Sequence, residues 1–135
     1  MEHLTLDVRK QIQLDNETYP NHVLIYKNGQ NYCTYNKGAM QLICCFREYP
    51  YIIEYLDFFG NGDLIQITFS PVAFECMKKK YKAVALSPNR SDLTRWLIFI
   101  QHSISDYNYY IWSNILNIEL RMPRKKSKNV KYKVI

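Results

Sequence analysis

Residues 22–35 read HVLIYKNGQNYCTY, and this stretch decides the fold. Val23, Leu24, Ile25 and Tyr26 follow one another without a polar break. An unbroken apolar run of that length fits a strand covered on both faces. Asn28-Gly29 comes next, and Gln30–Tyr35 returns as a second run rich in strand formers. Asn-Gly between two such runs predicts a hairpin with a type I′ turn, because that turn needs positive φ at both central positions. A sheet built on this hairpin needs a helix on each side.

The flanks supply them. Upstream, Leu4, Val8, Ile12 and Leu14 predict a short amphipathic helix that ends between Asn16 and Asn21, where Pro20 lies. Downstream, Asn36 is placed to cap a helix from Lys37 to about Phe46, with Met40, Ile43 and Cys44 on one side. After a break at Pro50, Tyr51–Phe59 and Leu64–Phe69 form a second hairpin around Gly60-Asn61-Gly62-Asp63. Its second arm alternates, with Ile65, Ile67 and Phe69 on one face and Leu64, Gln66 and Thr68 on the other. Ser70-Pro71 opens a helix as cap and first helical residue. Lys78, Lys79 and Lys80 suit its C-terminal dipole, and Tyr81–Leu86 is a further short strand.

Beyond Ser87-Pro88-Asn89 the pattern changes period. Leu93, Leu97, Ile100, Ile104, Tyr107, Ile111, Asn114 and Ile118 recur at steps of three and four. That seam predicts one long helix, or two broken near Ser105-Asp106, with Ser91 as cap. Trp96, Tyr110 and Ile115 widen the stripe. The expected fold is α/β or α+β: a mixed sheet of about five strands flanked by helices, with a C-terminal helical extension. A chain of 135 residues with 47 % hydrophobic side chains fits one domain. Residues 1–120 are expected to form it, with 1–87 as the sheet-and-helix unit and 91–120 as the helical extension. Residues 121–135 are its tail, in which 130–135 alternates enough to pair as an edge strand.

Charge is divided unevenly along the chain. The whole carries +6, but there is no acidic residue after Glu119. Arg121, Arg124, Lys125, Lys126, Lys128, Lys131 and Lys133 put +7 into the last fifteen positions and leave residues 1–120 at −1. Like charges in a cluster repel and do not help a fold, so such a run points to a polyanionic partner. Lys78, Lys79, Lys80 and Lys82 form a second basic group that would extend a phosphate track if it shared a face with the tail. Tyr109, Tyr110 and Tyr132 are available to stack on unpaired bases. The plain alternatives are a solvated tail, lysines that answer a helix dipole, and tyrosines that pack across strands.

Other chemistry has less support. Cys33, Cys44, Cys45 and Cys76 form no C-x-x-C pair, and with His3, His22 and His102 they give no zinc spacing. Buried free thiols in a reducing compartment are expected, and no metal or cofactor. Glu54 and Asp57 point to opposite faces of one strand, although Asp57 and Asp63 can approach across the hairpin. No glycine-rich phosphate loop and no Ser/His/Asp signature is present, so the chain is expected to be non-enzymatic, with a small nuclease as a minor reading. The N-terminus lacks the pattern of a secretory signal, and Trp96–Ile100 is too short to span a bilayer, so the expected location is cytoplasmic with no membrane partner. The abundance of Asn, Ile, Lys and Tyr is what AT-rich coding produces, which hints at a phage or mobile element.

Tyr19-Pro20, the strand Val23–Tyr26, Lys27, Gly29, the strand Tyr32–Tyr35 and a helix opening near Ala39 together resemble the N-terminal mismatch-recognition domain of the MutS family. Phe69-Ser70-Pro71, a helix, and Tyr81-Lys82-Ala83-Val84-Ala85 continue the likeness, which covers about residues 1–87. The resemblance implies a DNA-binding scaffold. With Gly29 as the family's turn glycine, the family's wedge phenylalanine falls on Asn31 and its glutamate on Cys33. Neither can do the work of the family's residue, and nothing resembling the ATPase portion is present. The resemblance therefore implies a degenerate, stand-alone module. Two functions follow. One is an accessory module that binds DNA or RNA by backbone contact, within a phage or mobile-element nucleoprotein complex. The other is an adaptor or inhibitor, such as a phage-encoded factor, that docks a larger enzyme through Trp96, Trp112, Tyr109 and Tyr110, the aromatic side of the helical seam.

Overall fold

A computed structural model describes residues 6–20, 22–46, 49–57, 63–86, 94–100, 104–121 and 130–134. The chain order is α1 (Leu6–Thr18), β1 (Val23–Asn28), β2 (Asn31–Tyr35), α2 (Lys37–Cys45), β3 (Tyr51–Asp57), β4 (Asp63–Phe69), α3 (Pro71–Lys80), β5 (Ala83–Leu86), β6 (Arg95–Ile98), α4 (Asp106–Arg121) and β7 (Val130–Val134). The fold is α+β. Among the described residues seven strands, rather than the expected five, form one sheet in the order β5-β6-β1-β2-β4-β3-β7. Every neighbouring pair is antiparallel except β3 and β7.

β1 lies at the centre of the β5–β4 half, and Val23 through Tyr26 are all buried, as a strand covered on both faces requires. The β1–β2 turn differs from the expected one. Asn28 pairs with Asn31, which makes Gly29-Gln30 the two turn residues. Gly29 has φ 63, whereas neither Asn28 nor Gln30 has positive φ. Glycine at the first central position is the mark of a type II′ turn, which only needs the left-handed conformation once.

Helices cover both faces. On one side α2, α3 and α4 bring Ala39, Leu42, Phe46, Ala73, Phe74, Met77 and Leu116 down onto Val23, Ile25, Ile53, Ile65, Ile67 and Ile98. On the other, Val8 and Ile12 of α1 cover Leu24, Tyr26, Cys33, Tyr35, Leu56, Leu64 and Leu97. β4 thus alternates as its sequence predicts. α2 does not face as predicted: Ala39, Leu42 and Phe46 are buried, and Cys44 is exposed. Spacings of three and four put those three on one side of the helix, whereas Met40 and Ile43 fall toward its flanks.

The two helix caps part company as well. Ser70 is extended, and its Oγ accepts a hydrogen bond from the Ala73 N–H at 3.2 Å, with Pro71 opening α3. Asn36 stands at the start of α2 but makes no side-chain cap. Its φ of 54 turns the chain sharply, and its Oδ1 accepts from the Ile65 N–H of β4 at 3.0 Å. The Asn36 N–H donates back to the Ile65 carbonyl. Asn36 is a clamp between two sheet strands' ends rather than a helix cap.

The C-terminal third departs furthest from expectation. Residues 95–98, predicted as helix, are strand β6, inserted between β5 and β1. Among the described residues of the seam, only those from Asp106 onward are helical. The end of the tail, by contrast, pairs at the sheet edge as its alternation suggests: β7 runs parallel to β3, Ile53 opposite Val130 and Asp57 opposite Val134.

Candidate nucleic-acid interface

α4 ends at Arg121, and β7 begins at Val130. The basic run is therefore attached to the folded body at both ends. Arg124, Lys125, Lys126 and Lys128 fall between these anchors, outside the described residues. α4 packs against β7. The register sets Lys131 opposite Glu54 and Lys133 opposite Leu56.

The second basic group lies elsewhere. α3 packs on the other face of the sheet, through Ala73, Phe74 and Met77. Lys78 pairs with Glu75 at 2.8 Å and lies over the Phe74 ring at 4.7 Å. Lys80 lies over Phe46 and Tyr81, each at 5.6 Å, and Lys82 over Phe99 at 5.5 Å. Lys79 is exposed. Lys82 leads into β5, at the sheet edge opposite β7. Six strand spacings separate those edges, about 29 Å. The geometry does not merge Lys82 with Lys131 and Lys133 into one compact patch.

The aromatic candidates divide by exposure. Trp96, on β6 rather than a helix, is half-buried, with edge contacts to Phe74 at 4.9 Å and Tyr32 at 5.5 Å between ring centroids. Trp112 packs on the same core, and Tyr109 is half-buried beside it, 6.0 Å between centroids. Tyr110 is exposed, and so are Tyr107, Ile111 and Ile115. The expected seam is thus turned around. Tyr109, Trp112 and Leu116 face inward, whereas Tyr107, Ile111 and Asn114 face outward. Lys37 of α2 forms an ion pair with Asp106 at the start of α4.

One polar constellation is not predicted by the sequence reading. Asp15 is 2 % exposed on the inner side of α1. Its carboxylate accepts from the Tyr26 hydroxyl at 2.6 Å, the Arg95 guanidinium at 2.7 Å and the Gln11 amide at 2.7 Å. Asp15 falls in phase with Val8 and Ile12, and a carboxylate on an apolar stripe is the signal that would have found it. Beside it, the Cys33 thiol donates to the Tyr35 hydroxyl at 3.3 Å, which donates to Gln66 Oε1 at 2.8 Å. Burial pushes the Cys33 thiol up to about 12. Burial, then the charge of Asp15, also raises the Tyr26 hydroxyl, and burial raises that of Tyr35. Held neutral and enclosed, Tyr26 ties β1 to α1 through Asp15, and Tyr35 ties β2 to β4.

Cys33 has no exposed surface. Asn31 is exposed and borders a shallow groove of about 350 Å³ with Pro50, Ile52, Thr68 and Ser70. A second cavity, about 220 Å³, lies among Asn16, His22, Asn36, Lys37 and Tyr109. Asp57 and Asp63 stand directly opposite in the β3–β4 register. Among the described residues, no three His, Cys, Asp or Glu side chains are grouped closely enough to hold a metal ion. None of the described helices is long and apolar enough to cross a membrane. Compared with known proteins, the chain matches no family model, no curated protein and no solved structure.

Proposed function

We propose that this protein is a non-enzymatic, cytoplasmic accessory module that binds DNA or RNA through the phosphate backbone, within a nucleoprotein complex of a phage or mobile element. One observation carries the reading: seven basic residues and no acidic one follow Glu119, on a body whose net charge is −1. Each phosphate neutralised by Lys or Arg releases counterions, so affinity is independent of sequence and falls steeply with salt. The attachment of the run at Arg121 and Val130 supports the reading, because anchored charges lose less entropy on binding than a free tail does. Lys78, Lys79 and Lys80 are a secondary contact in this reading.

The helix–strand order through β5 also supports a degenerate, stand-alone relative of the MutS mismatch-recognition domain. With Cys33 enclosed and asparagine at position 31, the module reads no mismatch. A salt titration tests the proposal. Binding to a labelled oligonucleotide weakens with a log–log slope of about −0.7 to −0.9 per phosphate contacted. Arg124→Gln, Lys125→Gln, Lys126→Gln and Lys128→Gln together lower that slope by about 3 and leave the melting temperature unchanged. Binding that ignores salt, or a variant that binds as the wild type does, overturns it.

A second reading, the protein-docking adaptor, is favoured by the outward stripe of α4, where Tyr107, Tyr110, Ile111 and Ile115 are all exposed. Its anchor is Tyr110, since Trp96 and Trp112 pack inward.

A further inference from the structure

We infer that the polymer bound is single-stranded, and that the outward side of α4 is the platform on which its bases stack. This rests on the nucleic-acid reading above. Tyr107 is 71 % exposed and Tyr110 is 66 % exposed, one helical turn apart on α4. Side chains three apart on a helix are neighbours. The fold does not need them, because Tyr109, Trp112 and Leu116 already fill the inner side of the same helix. Asp106, the acidic residue at the helix start, forms an ion pair with Lys37 and stays largely exposed.

The occupant follows from charge and shape together. α4 runs from these rings directly into Arg121 and the basic run. A ligand for both must carry repeated negative charge and offer flat apolar faces. A duplex carries the charge but stacks its base faces on one another, whereas a single strand offers both. Base–aromatic stacking is tolerant of sequence, as the electrostatic contact is. The spans also agree. At about 1.5 Å per residue, Tyr107 lies about 21 Å along the axis from Arg121. A stacked strand advances about 3.4 Å per nucleotide, so about six nucleotides cover the distance, within the range of single-strand sites. Ile111 and Ile115 continue the stripe between the rings and the charge.

The test uses the full chain and two labelled probes, an oligothymidylate about twelve nucleotides long and a duplex of the same length, read by fluorescence anisotropy. The wild type is expected to prefer the single strand by about tenfold or more. Tyr107→Ala with Tyr110→Ala is expected to weaken single-strand binding by about tenfold per ring and to leave duplex binding unchanged. Tyr107→Phe with Tyr110→Phe, which keeps the rings, is expected to bind as the wild type does, and it decides the matter if the alanine pair melts early. Equal affinity for both probes, indifferent to the tyrosine changes, overturns the stacking platform and leaves the phosphate reading standing. Binding to neither probe overturns both. Loss of a protein partner in the alanine pair, with oligothymidylate binding intact, assigns the stripe to protein docking and overturns the inference.

Discussion

Asp15 and Arg95 are eighty positions apart in sequence and 2.7 Å apart in the fold, both enclosed between α1 and the sheet. A buried pair is weak evidence for net stability, because desolvation offsets most of the attraction, but removing one partner strands the other. Asp15→Ala is therefore expected to cost about 3–5 kcal/mol in urea unfolding. Asp15→Leu combined with Arg95→Leu should recover much of that loss. Cys33 acts through pH instead. Burial raises its thiol from the ordinary 9.0 to about 12, so the fold favours the neutral form. Its contribution is complete below about pH 9 and disappears as pH rises through about 12. Tyr26 and Tyr35, raised in the same direction, add to the alkaline loss. Urea midpoints should fall between pH 9 and 12, and Cys33→Ala should make that fall shallower. A midpoint that does not move over that range would show that these groups are not enclosed. Asp15 in the apolar stripe of α1 was a legible signal, but its partners were not, since Arg95 lies eighty residues away and a tyrosine in a strand reads as ordinary until they are known.

At the level of elements, what is local was legible and what is tertiary was not. Ser70-Pro71 announces α3 because cap and first turn are neighbours in sequence. Asn36 looks like a cap by the same rule, but the Ile65 N–H of β4 takes its side chain. β6 is the largest departure. Trp96–Ile100 is a five-residue apolar run, and so short a run fits a buried strand as well as a helix turn. Counting the seam through it carried the wrong phase into α4 and turned Tyr107 and Ile111 inward and Trp112 aside. The stability of single variants tests the corrected phase. Trp96→Ala is expected to cost about 2–3 kcal/mol, less than a fully buried tryptophan, because it empties the space beside Tyr32 and Phe74. Tyr110→Ala, on the outer side of α4, is expected to change unfolding free energy by no more than about 0.5 kcal/mol. Equal losses would restore the seam as core.

The described residues form a sheet bounded at one edge by β7, the basic run precedes and enters that strand in sequence, and the sequence separates these two properties poorly. The weak alternation of residues 130–135 suggests an edge strand, and the excess of lysine suggests a tail; both descriptions apply, because Lys131 and Lys133 belong to the strand itself. Composition reports charge without place, so it could not say that β7 and Lys82 occupy opposite edges of the sheet. Structure and charge can be separated by experiment. Deleting residues 130–135 removes the partner of β3 and exposes the unpaired backbone of a strand whose Ile53, Tyr55 and Leu56 are otherwise buried. An open edge of that kind recruits other chains. The truncated protein is expected to melt earlier and to form soluble aggregates on size-exclusion chromatography, while it keeps Arg121, Arg124, Lys125, Lys126 and Lys128. Lys131→Gln with Lys133→Gln, which keeps the strand, is expected to stay monodisperse and to lose only a share of salt-dependent binding, about 2 units or less of the log–log slope. If the truncation is as stable and as monodisperse as the full chain, β7 does not close the edge, and the basic run is a free tail after all.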